Sequence, residues 1–136
     1  MTMKEKDEKT NNVPRSLRVW FIIHFVVDYA FGIPLMIAPQ FVLGLFGFVN
    51  MDVLAARLVA AAFLSIGGVS LLVRNHGAHT YRALLLFKIL WSLFAVFGIV
   101  LTLIQGAPQF VFGVLLTFAV FSAVWLHYWI KMGCRV

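Results

Sequence analysis

Four long apolar runs lie between Val19 and Ile130. A helix needs about 20 apolar residues to cross a hydrocarbon core of roughly 30 Å. Inside lipid, a spanning segment must satisfy its own backbone hydrogen bonds, which a helix does. The runs therefore predict an all-α chain, a four-helix transmembrane bundle. The chain has 136 residues, 62% hydrophobic and only 12% charged. That much apolar surface finds its natural solvent in lipid. The length suits one membrane domain.

The spans are expected at about 18–35, 51–73, 81–103 and 109–130. Residues 1–17 are polar, charged and broken by Pro14, and read as a flexible cytoplasmic tail. They do not read as a secretory signal, because the apolar run that follows is long and no small-x-small cleavage site follows it cleanly. Pro34 and Pro39 bracket the end of the first span, and Pro34 is expected to bend its last turn. Residues 40–50 are apolar but too short to cross, so they read as a re-entrant or interfacial segment, loosened by Gly44 and Gly47. Asn50 and Asp52 stand where a helix cap belongs. The second span is rich in small residues, among them Ala56, Ala60, Gly67, Gly68 and Ser70. Small residues let helices approach closely in lipid, so this helix is expected at the centre of the bundle.

Lysine and arginine set the orientation. Lys4, Lys6, Lys9, Arg15 and Arg18 precede the first span. Arg74 and Arg82 flank the second connection, and Lys131 and Arg135 follow the last span. The positive-inside rule then places both termini, including the tail 131–136, in the cytoplasm of a cell membrane protein. Trp20, Trp125, Tyr128 and Trp129 fall near those ends and read as interfacial aromatics.

The formal charge of +6 does not point to nucleic acid, because the basic residues sit at the ends of apolar runs. Cys134 is the only cysteine, so an intrachain disulfide and a multi-cysteine metal site are excluded. It reads as a free thiol in a reducing compartment. Nothing in the sequence names a cofactor; His24 and His127, on different spans, do not make a haem site.

The polar residues at depth carry the functional reading. Asp28 lies ten residues past Arg18, about 15 Å along the helix and near the midplane. His24 precedes it by four residues and shares its face. Arg57 lies about 7–8 Å below the outer surface, and Lys88 about 9 Å above the inner one. An unpaired ion here is expensive, so an Asp28–Arg57 pair is expected, with His24 and Lys88 nearby and Trp91 lining the same cavity. One carboxylate then faces two deep cations. Lys88 either snorkels to the surface, is neutral, or meets an anion. The candidate ligand-binding set is thus Asp28, Arg57, His24, Lys88 and Trp91. No catalytic or metal set stands beside it.

The segment from Pro39 to Gly44, followed by Asp52 and Arg57 opening a small-residue-rich span, resembles the small four-helix prokaryotic integral membrane proteins of unknown function. DoxX-like proteins share the four-helix size and the glycine-rich spans, a looser likeness. Neither resemblance implies a catalytic residue. Three functions are open: binding or carrying a small anionic or lipid-like ligand in a polar core; an accessory subunit of a membrane complex; and a membrane-embedded enzyme with His24 and Asp28 as an acid–base pair. Four spans are few for a carrier, so self-association or a membrane partner is expected.

Overall fold

The structure is a computed structural model that describes residues 12–133. It holds five helices and, among the described residues, no strand. They are α1 (Arg15–Ile37), α2 (Pro39–Leu45), α3 (Val53–Leu72), α4 (Ala78–Ile104) and α5 (Val111–Lys131). All but α2 are long and apolar enough to cross a membrane. Large apolar side chains such as Phe31, Ile37, Phe41, Leu72, Phe94, Ile104 and Ile130 are exposed along them. Water would not tolerate so continuous an apolar surface; lipid does. The chain is a multi-pass, all-α membrane protein.

The helix ends follow local chemistry. α1 begins directly after Pro14, so Arg15 to Leu17, expected in the tail, are helical. The rest of that tail, with Lys4, Lys6 and Lys9, lies outside the described residues, as do Cys134 and Arg135. Pro34 sits inside α1, and the helix runs on through it to Ile37. Ala38 closes that end by donating to the Pro34 carbonyl at 2.8 Å. The apolar 40–50 segment forms α2, whose seven residues rise about 10 Å and cannot cross. Its exit turn uses Gly47 at φ 82°, a left-handed conformation that favours glycine. Asp52 caps α3, accepting from the Leu54 and Ala55 amides at 2.8 and 3.2 Å. His79 and Thr80, expected in the second connection, lie in the first turn of α4. Gly106 turns the chain between α4 and α5 at φ 91°.

Two compact units divide the chain, one of Arg15–Asn75 and one from His76 onward. In the first, α1 and α3 pack antiparallel. The contacts step evenly along the pair: Arg18 donates to the Arg74 carbonyl, Asp28 faces Gly67, Gly32 faces Phe63 and Leu64, and Arg57 reaches the Met36 carbonyl. Leu35, Ala56 and Ala60 join Val42 of α2 in a buried apolar cluster at one end. Small residues on α3 make the approach close. A methyl group on Gly67 would lie 2.7 Å from the Cβ of Asp28. In the second unit α4 packs on α5, with Phe121 and Trp125 stacked at 5.7 Å.

Candidate functional site

On α1, Leu17, Phe21, His24, Asp28, Gly32 and Leu35 are buried at steps of three and four residues. That is one helical face, and His24 and Asp28 belong to it. Asp28 is therefore held against α3, where Gly67 supplies bare backbone. Nδ1 of His24 lies 2.8 Å from Oδ2 of Asp28, one helical turn on. The distance is that of an ion pair, but the alignment is not that of a hydrogen bond, and Oδ2 is buried without a hydrogen-bond partner. Hydrogen bonds weaken steeply once the donor points away from the acceptor.

The expected Asp28–Arg57 pair is not formed. Arg57 is exposed, and its Nε donates to the Met36 carbonyl at 3.4 Å. The antiparallel register explains this. Asp28 is level with Gly67, ten residues up α3 from Arg57, which is about 15 Å of rise. No arginine side chain bridges that distance. Spacing along one helix reports depth within that helix alone, and the register between helices moves Arg57 to the far end.

On α4, Ala78, Tyr81, Leu85, Lys88 and Ser92 form the buried face. Lys88 is only 2% exposed. Its ammonium lies 5.1 Å from the ring centre of Trp125 on α5, a cation–π contact. A snorkelling lysine would carry its ammonium out to the helix rim; this one is drawn under an aromatic ring instead. Trp125 is 1% exposed, so it is a core residue rather than an interfacial one. Trp91, the aromatic expected beside Lys88, is half-buried three residues further along α4. Sequence reasoning missed Trp125 because its partner comes from a different helix. The one available signal was its spacing, four residues after Phe121 and three before Tyr128.

Six serine and threonine hydroxyls bond within their own helices. Ser65, Ser70, Thr102, Thr117 and Ser122 each donate to the carbonyl four residues back, at 2.7 to 3.0 Å, and Ser92 donates to Ile89 at 3.2 Å. Such back-bonding hides a hydroxyl in apolar surroundings. Among the described residues, the buried side chains in the spans that can carry charge are His24, Asp28 and Lys88. Among the described residues no cluster of three or more metal-ligating side chains occurs. His127 is exposed and meets the Tyr128 ring edge-on at 5.2 Å.

No family model, curated protein or solved structure matches this chain.

Proposed function

We propose that this membrane protein binds a small anionic or lipid-like ligand, with Lys88 as the cationic anchor. The observation that carries the reading is a lysine 2% exposed in the middle of an apolar span, held beneath Trp125. Ionisable groups inside a span are costly to place and are usually found where a substrate or ion is handled. The ring quadrupole of an aromatic face attracts a cation without neutralising it. A carboxylate or phosphate would bind at such a site through charge-assisted hydrogen bonds. The basic residues at the helix ends, Arg15, Arg18, Arg74, Arg82 and Lys131, support an orientation with both termini on the cytoplasmic side.

A thermal-stability screen tests this reading. Anything that binds the folded state raises its apparent stability by mass action. Purified protein in nanodiscs is heated with a panel of carboxylates, phosphates and anionic phospholipids. At least one class raises the melting temperature of the wild type and leaves Lys88→Met unmoved. A panel that moves both proteins equally, or neither, would overturn the assignment of Lys88.

A further inference from the structure

Arg57 stands in the second turn of α3, five residues past the Asp52 cap and about 7–8 Å of rise into an apolar span. An arginine is costly against acyl chains, and its long stem lets the guanidinium reach back toward the polar boundary. The Met36 carbonyl fixes where the guanidinium goes. It is one of the last four carbonyls of α1, which a helix cannot satisfy from within, and Nε of Arg57 donates to it at 3.4 Å. That contact uses one of five N–H donors. The edge formed by the two terminal nitrogens is the fork that grips a phosphate through paired hydrogen bonds. We propose that Arg57 binds the phosphate of a membrane phospholipid at the end of the α1–α3 pair that carries α2. The proposal stands apart from the anion reading, because Lys88 is on α4 in the other unit.

Charge selects an anion. Asp28 and Asp52 are the acidic side chains among the described residues. Asp28 is level with Gly67, about 15 Å of rise up α3 from Arg57. Asp52 turns its Oδ1 to the Leu54 and Ala55 amides. Arg57 itself is exposed, so the guanidinium is open to a headgroup from the bilayer.

Apolar surface around the cation selects a lipid over a free ion. Ile37 follows Met36, and Leu54 and Leu58 lie three residues before and one residue after Arg57; all three are exposed. α2 is held beside them, because Val42 joins Ala56, the residue before Arg57, in one buried cluster. Phe41 and Leu45 extend the exposed apolar surface along α2. An acyl chain lies on such a surface while its phosphate sits at the guanidinium. Inorganic phosphate gains only the second contact.

Native mass spectrometry of the full chain tests the proposal, with phosphatidylglycerol or diacylglycerol of the same acyl chains as the added lipid. Arg57→Gln removes the charge and keeps an N–H donor for the Met36 carbonyl; Arg57→Lys keeps the charge. Retention of phosphatidylglycerol should fall about fivefold in Arg57→Gln, the size expected for one cation at a lipid surface, and less in Arg57→Lys. Diacylglycerol should be retained equally by all three proteins. The same fall is expected in a Lys88→Met background, which separates this site from the one at Lys88. In wild-type bilayers, solid-state NMR should show dephasing of the Arg57 guanidinium carbon by lipid phosphorus, a readout that needs no variant to fold. Equal retention of phosphatidylglycerol by wild type and Arg57→Gln would overturn the proposal and leave Arg57 as a cap on α1. A fall that vanishes without Lys88, displacement of the lipid by inorganic phosphate, or a guanidinium carbon untouched by phosphorus would each overturn it as well.

Discussion

Gly67 and Asp28 occupy space that only one of them can fill with a side chain. A methyl on Gly67 would stand 2.7 Å from the Asp28 Cβ, closer than packed carbons approach. Overpacking of this kind costs about 1–3 kcal/mol. Gly67→Ala should therefore lower the unfolding midpoint of the protein in detergent. Gly98→Ala is the control, since a methyl there meets nothing within 4 Å. Replacing a helical glycine by alanine at an open site is worth up to about 1 kcal/mol of helix propensity, so Gly98→Ala should be neutral or stabilising. The contact between Lys88 and Trp125 gives a second test. A double-mutant cycle with Lys88→Met and Trp125→Leu should show a coupling of about 0.5–2 kcal/mol. A cycle that closes to zero would mean that the ring merely covers the lysine. At this scale much was legible in the sequence. The i,i+4 spacing put His24 and Asp28 on one face, and the cost of charge in lipid singled out Lys88. Trp125 and the displaced Arg57 were not legible, because neighbours on another helix depend on register, which spacing within one helix does not report.

Elements of this chain are set by short local signals at their ends. Asp52 accepts from two of the free amides at the start of α3, a side-chain cap. Asp52→Ala should cost about 1 kcal/mol and Asp52→Asn much less. Hydrogen exchange in the first turn of α3 would separate the two, with faster exchange in the alanine variant only. Apolar run length predicted four helices long and apolar enough to cross, because hydrophobic length is a property of the run itself. The ends were harder to place. α1 starts at Arg15 and passes through Pro34, since loss of one amide near a helix end removes only one bond while the remaining turns stay satisfied. The 40–50 segment was correctly too short to cross, but its helical form is decided by Pro39 at the first turn and by the cluster of Val42 with Leu35, Ala56 and Ala60.

For the whole molecule, the exposed apolar helix faces make the bilayer the solvent of the fold, and the charges left inside it carry the functional claim. Orientation is tested by single-cysteine labelling on a Cys134→Ser background. With both termini cytoplasmic, cysteines at Asn50 and Gln105 should react with an impermeant reagent added outside intact cells, and one at Asn75 should not. The opposite pattern would invert the topology. The central claim, that Lys88 anchors an anionic ligand, is met most directly by native mass spectrometry of protein released from its own membrane in nanodiscs. The account predicts a reproducible added mass on the wild type that is absent from Lys88→Met. A bare protomer in both, or one accompanied only by a second polypeptide, would contradict it and make the buried charges part of the scaffold.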